Sequence, residues 1–145
     1  MFIYRNRKFS KLDVFQIEVK MKILTGTDII EINRIRESIE SLGENFKNKI
    51  YTLKEIEYCE SRKNSKYQHY AGRFAAKEAI FKAISELLND KFEISWKDAE
   101  VLNDVNGKPK ITFENKKLTE KIDNIDISIS HCKEYAIANV IIVCK

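Results

Sequence analysis

A long alanine-rich segment in the middle of the chain does most to limit the folds this sequence can adopt. It runs from about residue 65 to about residue 88 and carries alanine at positions 71, 75, 76, 79 and 83. Alanine favours the helix, and its small side chain lets a neighbouring element approach closely. The segment therefore predicts one long helix at the centre of the molecule, with another element packed tightly against it.

The segments that flank this helix predict an α+β fold. Residues 22–30 are rich in β-branched side chains and predict a mostly buried strand. Isoleucines at helical spacing before Gly43 predict a helix of about three turns, and Thr52 with Glu55 has the spacing of a capping box before a helix over residues 53–62. Two hairpins follow, one joining 92–103 to 110–114 through Asn106-Gly107 and one joining 125–130 to 135–143. We expect an antiparallel β-sheet packed with one long and two shorter helices.

The 145 residues fit a single domain, and their charge is unevenly distributed. Residues 1–20 hold five basic and two acidic side chains, a net charge of +3, whereas the other 125 residues have a net charge of only +1. We expect residues 1–20 to be a basic N-terminal extension outside the fold and residues 21–145 to form the domain. No apolar run approaches the roughly 20 residues that cross a bilayer, and the extension lacks the hydrophobic centre of a signal peptide. The expectation is a cytoplasmic protein without a membrane partner.

Asp28 is an unusual residue for the first predicted strand, because it lies between the apolar pairs Ile23-Leu24 and Ile29-Ile30. A buried carboxylate without a partner is costly. Either a basic side chain or a metal ion compensates its charge, or the side chain faces solvent at the end of the strand. The residues around Asp28 leave these alternatives open.

Glu78 and Lys82 fall about 40° apart on a narrow polar arc of the long helix. In the simplest interpretation they form an exposed pair that stabilises the helix. The stretch from residue 61 to residue 82, however, contains six Lys and Arg side chains and Glu78 as its single acidic residue. This excess favours a site for a metal ion and a phosphorylated ligand. Lys77 falls on the apolar side of the same helix, and the pattern does not explain it.

Two histidines complete the candidate residues. His69 precedes the alanine-rich part of the long helix and is most simply a structural or exposed residue. His131 follows a predicted strand, next to Ser130, and opens the turn at residues 131–134. Turns are places where ligand-contacting side chains are often displayed, so His131 is a candidate for binding.

Four motifs, taken together, resemble those of one protein family. They are Gly26-Thr-Asp28-Ile-Ile-Glu31-Ile, then Ala71-Gly-Arg73-Phe-Ala-Ala-Lys77-Glu78-Ala with Lys82, then Asn106-Gly-Lys-Pro109, and finally Ser128-Ile-Ser130-His131. In this order and at this spacing they are similar to the holo-(acyl-carrier-protein) synthases, the small bacterial type of 4′-phosphopantetheinyl transferase. The likeness covers residues 21–145, and Met21 resembles the usual start of family members.

The resemblance implies the α+β fold of the 4′-phosphopantetheinyl transferases, assembled as a homotrimer with each active site at a subunit interface. It also implies a reaction in support of fatty acid biosynthesis. A serine of an apo-acyl-carrier protein attacks coenzyme A, the phosphopantetheine group is transferred, and adenosine 3′,5′-bisphosphate leaves. Transfer of this kind depends mainly on positioning the reactants and neutralising the developing charge.

By the same resemblance, Asp28 and Glu78 bind Mg²⁺, and Glu78 and Lys82 are catalytic. Either Glu78 or a water bound to the metal accepts the proton of the carrier serine. The residues expected to contact coenzyme A are Arg73, Lys82, Pro109, Ser130 and His131.

The carrier protein is expected to bind at the first predicted helix. Arg34 lies away from the apolar stripe of that helix and matches a family arginine associated with carrier docking, and Arg36 is placed to assist it. Acidic carriers are attracted to such basic side chains. The nearby Glu37 and Glu40 dilute the positive charge of this surface.

Two other functions are alternatives to the transferase. The basic extension and the cations of residues 61–82 are also compatible with a small basic nucleic-acid-binding module, whose binding would weaken steeply with salt. The aromatic residues are scattered without the pattern of a single-stranded nucleic-acid platform. An interaction protein that keeps only the trimer is disfavoured, because both carboxylates expected to bind metal are present. We therefore expect a transferase without a nucleic-acid partner.

Overall fold

The computed structural model describes residues 21–90 and 93–145, so the extension predicted for residues 1–20 lies outside the described residues. The elements in chain order are β1 (Ile23–Glu31), α1 (Ile32–Leu42), α2 (Glu44–Ile50), α3 (Leu53–Glu60), α4 (Lys66–Ile84), β2 (Ala99–Asn103), β3 (Pro109–Phe113), α5 (Lys116–Lys121), β4 (Ile122–His131) and β5 (Tyr135–Cys144). The α+β class is confirmed. Within the described ranges no helix has the length and hydropathy needed to span a membrane.

The strands form two antiparallel sheets, and the larger sheet positions most of the candidate residues. Its order is β1-β5-β4, so β5 lies in the middle and β1 and β4 form the two edges. Strands β2 and β3 form a separate hairpin, whose turn contains Gly107 at a φ of 82°, in the left-handed region that favours glycine. Both predicted hairpins are therefore present.

Helix α4 packs across the inner face of the larger sheet, against β1 and β5. The side chains of Ala79 and Ala83 are buried in this contact. A Cβ atom at Gly26 of β1 would overlap the backbone carbonyl oxygen of Ala79 and would crowd the backbone nitrogen of Ala83. Glycine at this position therefore lets the helix backbone lie directly against the strand, which is the tight packing that the alanine-rich segment predicts.

Strand β1 differs from the prediction that it is mostly buried. Its side chains alternate, because α4 covers one face of the sheet and the other face is open in the single chain. Strand β5 alternates in the same way. The open side presents a group of exposed apolar side chains, which we call the outer apolar face: Ile23, Ile29, Tyr135, Ile137 and Ile141.

Three other segments differ from the sequence-based prediction. Helix α2 follows α1 directly, because Gly43, with a φ of 56°, ends one helix and begins the next. Helix α5 begins after Asn115, whose side chain accepts a hydrogen bond from the backbone nitrogen of Lys117. Residues 93–98 are not strand, because Ser95 and Asp98 cap a short helical turn there. The described residues thus contain four shorter helices beside α4, where two were expected.

Lys77, which the sequence pattern does not explain, is fully buried between α4 and α3. Its Nζ lies 3.0 Å from Oε2 of Glu55 and donates hydrogen bonds to the backbone oxygens of Trp96 and Ala99. Oε1 of Glu55 accepts a hydrogen bond from the backbone nitrogen of Val101, and the same carboxylate completes the predicted capping box of α3. Burial lowers the pKa of Lys77, and the neighbouring carboxylate opposes that shift. Lys77 therefore joins α4, α3 and β2 and has a structural role.

Candidate active site

Asp28, Glu78 and Lys82 lie together where α4 crosses β1, and we call them the carboxylate cluster. Asp28 is on the same face of β1 as Gly26, so the close contact of strand and helix brings its side chain to α4. Nζ of Lys82 lies 2.8 Å from Oδ1 of Asp28 and donates another hydrogen bond to the backbone oxygen of Thr27, at 3.0 Å. Asp28 therefore has a basic partner, and Lys82 pairs with Asp28 rather than with Glu78.

Glu78 is half-buried beside this ion pair. Burial raises the pKa of its carboxyl group, the negative charge of Asp28 raises it further, and Lys82 acts in the opposite direction. The carboxylate cluster thus combines two carboxylates with one ammonium group. A cation placed between the carboxylates would relieve their repulsion.

The donor set of the carboxylate cluster fits magnesium. Mg²⁺ is usually held by one or two protein carboxylates and completes its octahedron with waters and substrate phosphate oxygens. In the part of the chain that the structure describes, no group of three or more His, Cys, Asp and Glu side chains is placed to hold a metal ion. Two carboxylates alone do not match a structural zinc site, which requires four protein ligands.

A second group of predicted residues lines a cavity of about 130 Å³ beside α4, which we call the cationic pocket. Its predicted members are Arg73 from α4, Pro109 from the start of β3 and His131 from the end of β4. Tyr58, His69 and Asn103 also line it, together with further residues of α4 and the β2-β3 turn. The structure therefore brings together three of the five residues expected to contact coenzyme A.

Arg73 is the most constrained residue of the cationic pocket, with an exposed fraction of 3%. Its Nη2 donates to Oδ1 of Asn103 at 2.8 Å, and its Nη1 donates to the backbone oxygen of His69 at 3.5 Å. Its Cζ lies 3.9 Å from the centroid of the Tyr58 ring. Nε of Arg73 is buried and has no hydrogen-bond partner. Because an unsatisfied buried donor is costly, this atom marks a position suited to a ligand oxygen.

Ser130 and Arg34 lie apart from both groups of residues. Ser130 is exposed, pairs with Ile137 of β5 and faces the side of the sheet opposite to His131, so it does not line the cationic pocket of its own chain. Arg34 is exposed on α1, whose isoleucine stripe is buried as predicted. Both residues are accessible to a second molecule.

The carboxylate cluster and the cationic pocket lie at opposite edges of the larger sheet. The first adjoins β1, the second adjoins β4, and β5 lies between them. Two strand spacings separate the edges, which is about 10 Å. On α4, the directions of Arg73 and Glu78 differ by about 140° around the helix axis. One chain therefore presents two groups of candidate residues that face different directions.

Sequence reasoning missed three residues that shape the carboxylate cluster and the cationic pocket. Tyr58 and Asn103 come from segments remote from α4 and reach Arg73 because α3 and β2 pack against that helix. Thr27 contributes its backbone oxygen, which no side-chain pattern reveals. One sequence signal could have indicated Asn103, which is its position four residues before Gly107 at the predicted turn. In the structure its side chain donates a hydrogen bond to the backbone oxygen of Gly107.

Comparison with known proteins identifies the superfamily to which this fold belongs. The 4′-phosphopantetheinyl transferase superfamily matches residues 25–140, a range that contains the carboxylate cluster and the predicted members of the cationic pocket. The chain belongs to this superfamily.

Individual relatives within this superfamily are similar to most of the chain. The chain is 48% identical over 128 residues to the holo-(acyl-carrier-protein) synthase of Fusobacterium nucleatum, covering 85% of this chain and 100% of that protein. It is 46% identical over 127 residues to the synthase of Ruminiclostridium cellulolyticum, covering 84% and 92%. Among solved structures, the Bacillus anthracis synthase in complex with CoA (3′,5′-ADP) is 37% identical, with a TM-score of 0.71 over 86% of this chain and 99% of that one. The resemblance inferred from the four sequence motifs is confirmed.

Proposed function

We propose that this chain transfers the 4′-phosphopantetheine group from coenzyme A to a serine of an apo-acyl-carrier protein and releases adenosine 3′,5′-bisphosphate. The observation that carries the proposal is the carboxylate cluster, in which Lys82 and Glu78 stand beside Asp28. The relatives named holo-(acyl-carrier-protein) synthase support the activity, and the solved B. anthracis complex with CoA supports the donor. We assign the reaction to fatty acid biosynthesis in the cytoplasm.

In the reaction, the serine oxygen of the carrier forms a bond to the pantetheine-side phosphorus of coenzyme A. The bond from that phosphorus to the bridging oxygen breaks, and the electron pair leaves with adenosine 3′,5′-bisphosphate. The serine proton passes to a base. We assign this proton to Glu78, whose carboxylate lies beside Asp28 and Lys82 in the carboxylate cluster.

We assign to Lys82 the task of stabilising charge on the departing phosphate. Its side chain is about half exposed and is held by Asp28 and by the backbone of β1. Because its ammonium group is already positioned, it needs little reorganisation when the diphosphate enters. Asp28 thus has two tasks, which are to orient Lys82 and to supply a metal ligand.

Asp28 and Glu78 would hold Mg²⁺ in the proposed site. When bound, the ion supplies positive charge that attracts the diphosphate and stabilises charge on the leaving group. Burial, followed by the negative charge of Asp28, raises the pKa of Glu78, and a cation held between the two carboxylates would offset both effects.

We also propose a homotrimer in which each active site combines the carboxylate cluster of one copy with the cationic pocket of another. Two observations support shared sites. The two groups of residues face different directions in one chain, and the outer apolar face exposes Ile23, Ile29 and Ile141 at fractions of 55%, 60% and 47%. An apolar patch of this kind usually marks a protein contact. A partner seated there would also reach Ser130, which lies on the same side of the sheet.

The exposed Arg34 and Arg36 on α1 are the proposed contacts for the acidic carrier. The structure gives little support to the alternative of a nucleic-acid-binding module. Of the cations between residues 61 and 82, Lys77 and Arg73 are buried, and Lys82 is paired with Asp28. A nucleic-acid surface requires exposed cations that follow a backbone.

The test of the proposed activity is a mass measurement on the carrier. Purified protein is incubated with coenzyme A, Mg²⁺ and apo-acyl-carrier protein, and the carrier is weighed. We expect a mass gain equal to one phosphopantetheine group, which disappears when the carrier serine is replaced by alanine. An unchanged carrier mass under these conditions contradicts the proposal.

The proposal of shared sites is tested by combining two impaired variants in one assembly. Lys82→Met disrupts the carboxylate cluster and His131→Ala disrupts the cationic pocket, and each variant alone is expected to be impaired. Because an assembly of both contains interfaces with Lys82 from one copy and His131 from the other, co-expression should restore part of the activity. If the mixture is no more active than the variants measured separately, each site lies within one chain.

A further inference from the structure

His69 is a member of the cationic pocket for which the proposed mechanism has no role. Its ring centroid lies 6.1 Å from that of His131 and 5.5 Å from that of Tyr58. Both histidines line the same cavity as Arg73, whose buried Nε lacks a partner. In residues 21–90 and 93–145, no hydrogen bond joins either imidazole to another group. The two imidazoles are therefore available to a ligand in this cavity.

The groups that face His69 are cationic or neutral. Arg73 comes from α4, Arg62 from the segment before it, Tyr58 from α3 and His131 from β4. The Cζ atoms of Arg62 and Arg73 lie 4.3 Å and 3.9 Å from the centroid of the Tyr58 ring. Neither arginine forms an ion pair with a carboxylate in the described part of the chain. A group of cations without acidic partners favours the binding of an anion.

The charges around His69 affect its protonation. Burial, followed by the positive charges of Arg73 and Arg62, lowers the pKa of His69 from 6.5 to about 4, which favours the neutral imidazole at neutral pH. A phosphate beside the ring acts in the opposite direction, because it stabilises the imidazolium ion. Binding of the phosphate and binding of the proton therefore favour each other.

We propose that His69 is a further phosphate-contacting residue of the cationic pocket and that it takes up a proton when coenzyme A binds. This inference rests on the proposed function and adds to it a subsite formed by Arg73, His131 and His69. The ligand chemistry is a phosphate group. Its source is either the 3′-phosphate or the diphosphate of coenzyme A.

The direct test is calorimetric titration of the full-length protein with coenzyme A in buffers of different ionisation enthalpy. The dependence of the binding heat on the buffer gives the number of protons taken up. Phosphate groups of coenzyme A also titrate near neutral pH. The informative quantity is therefore the difference in proton uptake between the wild-type protein and a variant that lacks the imidazole. We expect the wild-type protein to take up more protons than the variant between about pH 5.5 and about pH 7.

Two substitutions distinguish a role of His69 in proton uptake from a role of its ring in packing. His69→Phe keeps an aromatic ring beside Tyr58, and His69→Gln keeps a neutral polar group. Both variants should lose the extra proton uptake and should bind coenzyme A about tenfold more weakly at acidic pH, with the difference shrinking towards about pH 8. Proton uptake and affinity equal to the wild type in His69→Phe would show that the ring has only a packing role and would overturn the proposal.

One further ligand, dephospho-coenzyme A, identifies which phosphate binds. If dephospho-coenzyme A no longer shows the His69-dependent proton uptake, the 3′-phosphate occupies the subsite, and if it still does, the diphosphate does. These titrations need no carrier, so their outcome is separate from the mass measurement on the carrier. Normal His69-dependent binding with an unmodified carrier would contradict the proposed transfer reaction and leave the subsite intact.

Discussion

Replacing Glu78 with glutamine is expected to slow phosphopantetheine transfer by about 10²- to 10⁴-fold, which is the usual contribution of a positioned acid-base group. Glutamine has nearly the same shape but carries no negative charge, so it is a poor magnesium ligand and does not accept a proton. The measurement is the rate of the mass change of the carrier at saturating coenzyme A, together with Mg²⁺ binding by calorimetry.

The fold of the Glu78→Gln variant should be unaffected. Because the pKa of Glu78 is raised in the folded protein, its ionisation weakens the fold as pH rises above the ordinary value of 4.5. Removing the charge should therefore leave the unfolding midpoint at neutral pH unchanged or slightly higher. Glu86→Gln is the matched control, since Glu86 follows α4, is exposed and pairs only with Lys22 in the described residues. A near-normal rate in the Glu78→Gln variant would show that Glu78 is not a catalytic residue.

Replacing Lys77 with methionine should have the largest effect on stability, a loss of about 3–5 kcal/mol in the free energy of unfolding. Methionine has a similar length but no charge, so Glu55 becomes a buried carboxylate without its cation. The backbone oxygens of Trp96 and Ala99 also lose a hydrogen-bond donor. Urea denaturation at neutral pH measures the change.

Lys82→Met on the same helix provides the control for the Lys77 prediction. The Lys82–Asp28 pair is partly exposed, and such pairs contribute about 0–1 kcal/mol, so this variant should unfold nearly as the wild-type protein does. The two variants should also differ in function: Lys82→Met should be folded and slow, whereas folded Lys77→Met should retain its rate constant. A loss of stability below about 1 kcal/mol for Lys77→Met would show that its ammonium group is not needed by the fold.

The sequence was sufficient to predict elements that are determined locally. Helix α4 follows from its alanines, the start of α3 from Thr52 and Glu55, and the β2-β3 turn from Asn106-Gly107. The grouping of Asp28, Glu78 and Lys82 was also predictable, although it required the family resemblance to join residues on different elements. Local patterns and family motifs together therefore predicted the central architecture and the carboxylate cluster.

Contacts between distant segments could not be predicted in the same way. Lys77 looked anomalous because its partner Glu55 belongs to another helix. Strand β1 was expected to be mostly buried because a run of β-branched residues does not reveal that a single chain covers only one face of its sheet. The Asn103–Arg73 hydrogen bond depends on how the β2-β3 hairpin docks, which no local pattern specifies.

The contact between Gly26 and Ala79 has a consequence for how the protein tolerates change. Two side chains that touch can restore their contact by adopting new rotamers, but two backbones that touch have no such freedom. The spacing between the strand that carries Asp28 and the helix that carries Glu78 is thus set by contact between their backbones. Core side chains such as Ile80 and Ile84 are free to vary in shape as long as they fill their volume, whereas any side chain at position 26 would change the separation of the two carboxylates.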